Sequence, residues 1–299
     1  MSNILIIGTV ALDTIETPFG KAEKCLGGSA TYASFAASFF SDPAVVSVVG
    51  LDFPEEYRKL MERRSIDISG LKVSGKTFHW DGFYEYDMNE AKTRKTELNS
   101  LEGFKVEIPQ RLRGIKYVFL ANIDPEQQLE TLKQMDKPEL VVLDTMNFWI
   151  NNKRSSLFEV IKKADVLLLN DGEARQLFNT ANLAKAANEA LKLGPKAVII
   201  KKGEHGALLF TKNRHFNAPG YPLEVIKDPT GCGDTFGGSI IGYLAKTGDT
   251  SEENIRKAII YGSAIASFNA EGFSLERLQK ISQEDIEKRF HEFRKIREF

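Results

Sequence analysis

The 299-residue chain has 40 Lys and Arg against 41 Asp and Glu, so its formal net charge at pH 7 is −1. This balance gives no broad basic surface, which argues against nucleic acid or a membrane as the main partner. Hydrophobic residues make up 42% and charged residues 27% of the chain, which is ordinary for a globular protein with a sizeable core.

The N-terminal stretch and the cysteines indicate the cellular compartment of the protein. "MSNILIIGTV" has a short apolar run with no basic segment before it, so we interpret it as a first strand and not as a signal peptide. No apolar run reaches the ~18 residues that a membrane-spanning helix needs. Cys25 and Cys232 are expected to be free thiols in a reducing compartment. We therefore expect a cytoplasmic protein.

Continuously apolar runs recur along the chain and are typical of strands buried on both faces of a parallel sheet. These predicted strands are 4–8, 44–50, 116–122, 139–145, 164–170 and 196–202. A hairpin is predicted at 205–220. Helices are predicted at 28–40, 54–65, 125–135, 155–163, 172–180, 235–246, 251–270 and 283–297. The alternation predicts an α/β fold with a doubly wound, mainly parallel central sheet and helices on both faces.

Two segments, 13–25 and 71–107, break this alternation. The first is polar and extended, and the second alternates loosely without a helical period. We predict that they form a small antiparallel β sheet, either a lid over a site, or an edge through which a homodimer forms, or both. Its aromatic residues are Phe78, Trp80, Phe83, Tyr84 and Tyr86. The remaining segments, 1–12, 26–70 and 108–299, are predicted to form the main α/β domain.

Polar and glycine residues follow several predicted strands. Ligands of open α/β sheets bind beyond the carboxyl ends of the strands, so these positions are candidates for a site. Ordinary loop or helix-cap chemistry is the alternative at any single position. The residues are Asp13, Asn122, Asp124, Asp144, Asn147, Asn170, Glu173, Gly203 and Gly206.

The stretch "DPTGCGDTFGGSIIGYLA" at 228–245 places several glycines before and within an apolar helix. If that helix begins near Asp234, the preceding loop presents free backbone N–H groups, and the helix dipole adds partial positive charge. Glycines let such a backbone approach a phosphate closely. The chain has no G-x-x-x-x-G-K-[ST] motif and no G-x-G-x-x-G after the first strand, which argues against a P-loop NTPase and a dinucleotide fold.

Asp234 is unexpected beside an anion site, because a carboxylate repels phosphate. Two interpretations remain open on spacing alone. Asp234 could accept the proton of a hydroxyl that attacks a terminal phosphate, which is a kinase reaction. It could instead be the N-cap of the following helix.

Five motifs resemble those of the ribokinase-like, or PfkB, carbohydrate kinases. "DPTGCGDTF" (228–236) resembles the family signature D-T-x-G-A-G-D, and "GGSATYAS" (27–34) resembles G-G-x-x-x-N-x-A. "NDGEARQL" (170–177) is similar to the N-x-x-E motif, and "KKGEHGA" (201–207) to the nucleotide loop. "GTVALD" (8–13) resembles the opening strand that ends in a sugar-contacting aspartate. The motifs occur in the family's order, and the resemblance covers essentially the full chain.

The resemblance implies an ATP-dependent kinase that uses Mg²⁺ to phosphorylate a hydroxyl of a sugar or sugar-like molecule. Asp234 is the implied general base, and the backbone of Gly231, Cys232 and Gly233 the implied anion hole. The predicted substrate-binding residues are Asp13, Gly27, Gly28, Tyr32 and Asn122. The predicted nucleotide-binding residues are Asn170, Glu173, Lys201, Gly203, Gly206 and Asn269. Glu173 is further predicted to hold Mg²⁺ through water, and Asp228 a monovalent cation such as K⁺.

The sequence departs from the family pattern in its substrate motifs. Tyr32 occupies the place of the signature asparagine, and Ala11 stands where ribokinases often carry another. A tyrosine can stack on a ring and still donate one hydrogen bond, which leaves room for a nucleoside, an inositol or another cyclic polyol. Cys232 replaces an alanine, and the helix dipole could make its thiol reactive. A non-catalytic sugar or nucleoside sensor is the remaining alternative.

Overall fold

The computed structural model describes residues 2–298 of the chain. Strands and helices alternate along most of this length. The strands are β1 (Ile4–Ile7), β2 (Ala11–Thr17), β3 (Gly20–Gly27), β4 (Pro43–Val49), β5 (Asp67–Val73), β6 (Phe78–Phe83), β7 (Lys92–Glu97), β8 (Tyr117–Leu120), β9 (Leu140–Leu143), β10 (Val166–Asn170), β11 (Ala197–Lys201), β12 (Ala207–Thr211) and β13 (His215–Ala218). The helices are α1 (Ser29–Ala37), α2 (Glu55–Arg63), α3 (Pro125–Gln134), α4 (Asn147–Asn152), α5 (Arg154–Ile161), α6 (Asp171–Phe178), α7 (Leu183–Leu193), α8 (Cys232–Thr247), α9 (Glu252–Ala270) and α10 (Gln283–Ile296).

Nine strands form one large sheet in the order β13-β12-β11-β10-β9-β8-β1-β4-β5. All neighbours from β11 to β5 are parallel, and β12 and β13 extend the sheet as an antiparallel hairpin. The chain runs from β1 to β4 and β5 on one side and from β8 to β11 on the other. The strand order therefore reverses between β1 and β8, where open α/β sheets bind their ligands.

Helices cover both faces of the large sheet, which explains its continuously apolar strands. Alternate residues of a strand point to opposite faces. Ile4 and Ile6 pack in one buried cluster with α1, α8 and α9. Leu5 and Ile7 pack in the other with α5, α6 and α7. The predicted doubly wound α/β architecture is confirmed.

Two glycines in α8 allow this helix to pack directly on the backbone of α1. A Cβ on Gly238 would collide with the carbonyl oxygen of Ala33. A Cβ on Gly242 would lie 2.9 Å from the Cα of Ala37. These contacts explain the later glycines of the 228–245 stretch by helix packing, so only the earlier ones remain for an anion site.

The predicted small sheet is present, with the order β3-β2-β6-β7. Its β2–β3 and β6–β7 pairs are antiparallel, whereas β2 and β6 pair in parallel. Residues 71–73, which the domain prediction assigned to this sheet, lie in β5 and pair with β4 of the large sheet. The reason is that Leu71 is buried in the main core.

Helices α4 and α7 were not predicted. The buried residues of α7 are Ala186, Ala187 and Ala190, whose small side chains give little hydrophobic contrast in the sequence. The helix expected from residue 235 begins three residues earlier, at Cys232. Within residues 2–298, none of the helices has the length and apolar character needed to cross a membrane.

Candidate functional site

Three polar side chains lie together at the carboxyl edge of the large sheet. Asn170 and Lys201 are in-register partners at the ends of β10 and β11, and Asp144 directly follows β9. The start of α8 faces them, since a Cβ on Gly233 would lie 3.2 Å from Lys201 Nζ. The prediction that the strand ends form one site is supported by this geometry. Asp144 is a candidate from its position after a strand, although the family motifs assign it no role.

The N-terminus of α8 has the geometry of an anion site. Its N-cap is Gly231, with φ 74°, and no side chain caps the helix. Asp234 lies in the first turn of the helix, so the N-cap interpretation of this residue is wrong. The Cys232 N–H donates to Pro229 O at 3.1 Å, so this amide is used in the turn. Among the described residues, no acceptor is found for the N–H groups of Gly231, Gly233 and Asp234.

The carboxyl of Asp234 lies in a setting suited to a general base. Burial raises its pKa to about 7, and the negative charge of Asp144 adds to this shift, while Lys201 opposes it. A carboxyl that changes protonation near neutral pH can accept a proton and release it again.

Asp13 lies in β2 of the small sheet and is 4% exposed. The Gly28 N–H donates to its carboxylate, and burial raises its pKa to about 7. Within residues 2–298, its Oδ1 has no hydrogen-bond partner. A Cβ on Gly27 would collide with this carboxylate, and Gly28 has φ 93°, so both positions require glycine. The geometry thus leaves one buried carboxylate oxygen free for a ligand.

Tyr32 lies in α1 and is only 1% exposed. Its ring packs against Gly231, where a Cβ would overlap the ring atoms. Burial raises the pKa of its hydroxyl, and the charge of Asp228 adds to the shift. The hydroxyl has no hydrogen-bond partner in the described part of the chain. Tyr32 therefore links the start of α8 to the region around Asp13.

Asn122, at the end of β8, is already engaged. Its Oδ1 accepts a hydrogen bond from Trp149 Nε1 at 2.9 Å, and its Nδ2 donates to Met146 Sδ at 3.1 Å. Its carbonyl oxygen accepts from Ser29 Oγ at 2.8 Å. Asn122 therefore orients Trp149. Both polar atoms of its side chain are hydrogen-bonded within the protein, whereas Asp13 Oδ1 has no partner in the described residues.

Asn170 and Glu173 form a reciprocal capping box at the start of α6. Asn170 Oδ1 accepts from the Glu173 N–H, and Glu173 Oε2 accepts from the Asn170 N–H, both at 2.7 Å. Burial raises the pKa of Glu173 to about 7, while Lys201 opposes the shift. Glu173 Oε1 remains free to accept from a water bound to Mg²⁺. Residues 2–298 contain no group of three or more His, Cys, Asp or Glu that could hold a metal, so phosphates and water would supply most ligands.

The loop between β11 and β12, which the family resemblance predicts to border the nucleotide, contains Gly203 and Gly206, with φ 54° and 83°. A Cβ on Gly206 would collide with the carbonyl oxygen of Ala218, so this glycine is also required by the hairpin. Both residues therefore sit in backbone conformations that L side chains rarely adopt.

Side-chain hydrogen bonds of Asn269 and Cys232 hold the loop before α8 against α9. Asn269 Nδ2 donates to Thr230 O at 2.8 Å, while its Oδ1 lacks a partner among residues 2–298. The Cys232 thiol donates to Ala266 O at 3.5 Å, and burial raises its pKa to about 12. Burial and the negative charges of Asp228 and Asp234 therefore argue against a reactive thiol at Cys232.

Asp228 is fully buried near residues 268–274, as the monovalent-cation prediction requires. Its Oδ1 accepts from the Thr230 N–H at 2.8 Å and its Oδ2 from the Ser274 N–H at 3.3 Å. No Lys or Arg within residues 2–298 forms a salt bridge with it. Burial raises its pKa to about 6, which these hydrogen bonds oppose. A cation would relieve this buried charge.

Trp80 in β6 is the in-register partner of Asp13 in β2, so the two side chains share one face of the small sheet. Its ring lies over Gly82, where a Cβ would overlap it, and its Nε1 donates to Thr93 Oγ1 at 3.0 Å. The indole therefore extends over Gly82 toward Thr93 of β7, on the face of the small sheet that also carries Asp13. The sequence marked Trp80 as one of several aromatics but not as a neighbour of Asp13.

The small sheet also contacts the nucleotide side of the site. The Thr230 hydroxyl donates to the Tyr84 hydroxyl oxygen at 3.2 Å, just before α8. A Cβ on Gly203 would lie 3.1 Å from Asn89 Oδ1, in the loop between β6 and β7. The small sheet thus reaches from Asp13 to the nucleotide loop.

Comparisons with known proteins show to which family the chain is similar. The model of the pfkB family of carbohydrate kinases matches residues 1–277. The chain is 30% identical over 263 residues to a cytidine kinase of Thermococcus kodakarensis, covering 86% of this chain and 93% of that protein. It is similar in fold to the crystal structure of Methanocaldococcus jannaschii nucleoside kinase, with TM-score 0.79, 22% identity and coverage of 98% and 99%. It is also similar to a putative ribokinase II from E. coli in complex with ATP and Mg²⁺, with TM-score 0.78, 18% identity and coverage of 98% and 100%.

Proposed function

The chain belongs to the pfkB family of carbohydrate kinases, and from this premise we propose that it transfers the γ-phosphoryl group of ATP to a hydroxyl of a nucleoside. The acceptor hydroxyl gives its proton to Asp234, and its oxygen attacks the γ-phosphorus in line with the bond to ADP. That bond breaks as the new one forms. A half-buried carboxyl in the first turn of α8, whose pKa is raised to about 7, supports this role.

The phosphoryl group carries negative charge during transfer, and the start of α8 is built to stabilise it. The N–H groups of Gly231, Gly233 and Asp234 lack protein acceptors within residues 2–298 and are available to it. Bound Mg²⁺ would neutralise phosphate charge near Glu173, whose Oε1 fits a water-mediated contact. Asn170 orients Glu173 through their capping box.

The position of Trp80 is the observation that carries the nucleoside proposal. Asp13 Oδ1 and the Tyr32 hydroxyl are buried, unpartnered polar groups suited to the hydroxyls of a ribose. Trp80 shares the face of the small sheet with Asp13, and an aromatic base attached to that ribose can stack on its indole ring. A free sugar or an inositol has no aromatic ring to stack on the indole. The relatives named cytidine kinase and nucleoside kinase support the same substrate class.

Three further features of the proposal follow from the same geometry. The small sheet acts as a lid, since it carries Asp13 and its β6–β7 loop lies close to Gly203. Asp228 binds a monovalent cation, because its buried carboxylate has no basic partner in the described residues. The enzyme is cytoplasmic, where Cys25 and Cys232 stay as free thiols.

A coupled assay of ADP release tests the nucleoside proposal across pentoses, hexoses, inositols and nucleosides, with and without K⁺. We expect nucleosides to stimulate ADP release most. Trp80→Ala should raise KM for the nucleoside about 10-fold or more, because base–aromatic stacking contributes about 1–3 kcal/mol. Trp149→Ala, which removes the other of the two tryptophans, should leave the preference for nucleosides over free ribose unchanged. Equal turnover of free sugars and nucleosides would contradict the proposal.

The pH dependence of activity follows from the raised pKa of Asp234. The base must be ionised to accept a proton, so kcat/KM should rise with pH through about 7 and level off above pH 8. Asp13 has a pKa of about 7 as well, so Asp13→Asn serves as the control. The rise of kcat/KM near pH 7 should persist in the Asp13→Asn variant. A flat profile between pH 6 and pH 8 would contradict the role of Asp234.

Tyr32→Phe separates substrate binding from core packing. The variant loses only a buried hydroxyl without a partner, so its free energy of unfolding should stay equal or rise by about 1 kcal/mol. KM for the nucleoside should rise about tenfold, the loss of one hydrogen bond. In the control, Tyr261→Phe, a hydroxyl bonded to Glu287 is lost, so stability should fall while KM stays constant. A less stable Tyr32→Phe variant with normal KM would show that Tyr32 only packs.

A further inference from the structure

Lys201 and Asp144 form a buried ion pair beneath the start of α8. Lys201 Nζ lies 2.6 Å from Asp144 Oδ2, and the two side chains are 17% and 4% exposed. Asp144 is held in turn, because its Oδ1 accepts from the Thr145 N–H at 3.0 Å. Asp144 follows β9 and Lys201 ends β11, the two parallel strands on either side of β10. The ammonium group therefore has a defined position at the floor of the site.

The ammonium group is also close to the backbone that would hold the phosphoryl group. A Cβ on Gly233 would lie 3.2 Å from Lys201 Nζ, so the ammonium lies close against the backbone at this position. Gly233 and Asp234 supply the free N–H groups of the helix start. An anion bound by these N–H groups thus lies next to Lys201.

The hydrogen bonds of Lys201 are incomplete. An ammonium group has three donors, and within residues 2–298 Lys201 Nζ has one acceptor, Asp144 Oδ2. A buried ammonium with unused donors beside free backbone N–H groups is suited to a further anionic oxygen. The charges of Asp144, Glu173 and Asp234 all favour the protonated form of Lys201, and together they outweigh the opposing effect of burial on its pKa. Lys201 therefore stays charged at this position.

On the basis of the kinase function proposed above, we propose that Lys201 contacts the transferring phosphoryl group and forms a second half of the anion hole, opposite the helix start. Its role is electrostatic: it stabilises the oxygens of the phosphoryl group as their charge is redistributed, and it exchanges no proton. Asp144 is a positioning residue that holds the ammonium in place. With a neutral side chain at position 201, the end of β11 would donate nothing to the phosphoryl group. The backbone N–H groups at the start of α8 would then be its donors from these two elements.

The alternative is that Lys201 serves only to neutralise Asp144 in the folded protein. Lys201→Met alone leaves Asp144 buried without a partner and can fail to fold for that reason. The double variant Asp144→Asn/Lys201→Met removes both charges together and avoids this difficulty. The two variants therefore separate an effect on catalysis from an effect on folding.

We expect the double variant to fold and to have kcat lowered by about 10²- to 10³-fold, the usual effect of losing one preorganised donor. KM for the acceptor should change less than about threefold, because the lost contact is made in the transition state. Asp144→Asn alone should lower kcat about tenfold, since the ammonium remains but is held less well. Affinity for ADP with aluminium fluoride, a mimic of the transferring phosphoryl group, should fall with kcat in each variant, while affinity for ADP alone stays constant.

A double variant with wild-type kcat and wild-type affinity for ADP–aluminium fluoride would overturn the inference and leave Lys201 as a charge partner only. Asp234→Asn, assayed in parallel, tests the proposed function separately. If Asp234→Asn is inactive while the double variant is active, only the role of Lys201 fails. If Asp234→Asn is fully active, the proposed mechanism fails, whatever the double variant shows.

Discussion

Replacing Asp234 with asparagine is expected to lower kcat by about 10³- to 10⁴-fold, the upper part of the range for a lost general base. Asparagine has nearly the same shape but cannot accept the proton of the attacking hydroxyl. ATP should still bind, because the free N–H groups of the helix start and the nucleotide loop are unchanged. Steady-state kinetics and titration with a non-hydrolysable ATP analogue measure these two effects separately.

A matched control for this variant is Asp285→Asn, the same substitution in the first turn of α10. Asp285 belongs to an exposed capping box with Ser282, far from the site in the chain, so its loss should reduce stability and leave kcat unchanged. Wild-type turnover in Asp234→Asn would exclude Asp234 as the base. If both ATP binding and turnover are lost, the substitution disrupts the loop before α8.

Thermal stability gives a second measure of Asp234. Burial raises the pKa of its carboxyl to about 7 from the ordinary 3.8, so the folded state binds this proton more tightly than the unfolded state. The resulting stabilisation is full below pH 3.8 and is lost as the pH rises to about 7. Asparagine cannot ionise, so the Tm of Asp234→Asn relative to wild type should increase between pH 4 and pH 7 and then level off.

Gly231→Ala is expected to damage both activity and stability. Gly231 has φ 74°, and its added Cβ would overlap the Tyr32 ring, so the turn before α8 must shift. A displaced helix start misaligns its N–H groups, and we expect kcat to fall about 10²- to 10³-fold. The free energy of unfolding should fall by about 2–4 kcal/mol, from backbone strain and overpacking together. Steady-state kinetics and urea denaturation measure the two losses.

Gly248→Ala at the other end of α8 is the matched control for this prediction. Gly248 has a similar φ of 64°, but its nearest neighbour is Tyr117 Oη at 4.0 Å. The control therefore has the backbone strain of Gly231→Ala without the collision and away from the site. It should lose about 1 kcal/mol of stability and keep normal kcat. Normal kcat in both variants would mean that the position of Gly231 does not matter for phosphoryl transfer.

The stability of the free protein is expected to conflict with its function at several site residues. Asp13 and Tyr32 each bury a polar atom without a partner in the described chain, and desolvation disfavours the ionised carboxyl of Asp234 as well. Each group destabilises the unliganded fold and becomes useful only when substrate or phosphoryl group is bound. Nucleoside and ATP should therefore raise Tm more than either does alone, since each satisfies different groups.

Much of the architecture and of the site was determined by the sequence alone. Continuous apolar runs identified the strands of the parallel sheet, because burial on both faces leaves no polar alternation. Parallel strands end at a common edge, so Asn170 and Lys201 could be assigned to one site before any distance was known. Glycines before an apolar helix predicted an anion site, and the family motifs assigned Asp234 a role that spacing alone left open.

Only the tertiary structure decided how these groups act. The Cys232 amide is used in a turn, the Asn122 side chain is held by Trp149 and Met146, and the Tyr32 ring supports Gly231. Trp80 lies beside Asp13 because β2 and β6, separated by about 60 residues, pair in parallel. Burial also set the pKa of Asp234, since desolvation depends on every neighbour at once. Local patterns determine elements and their ends, whereas contacts between distant segments determine which polar groups remain free for chemistry.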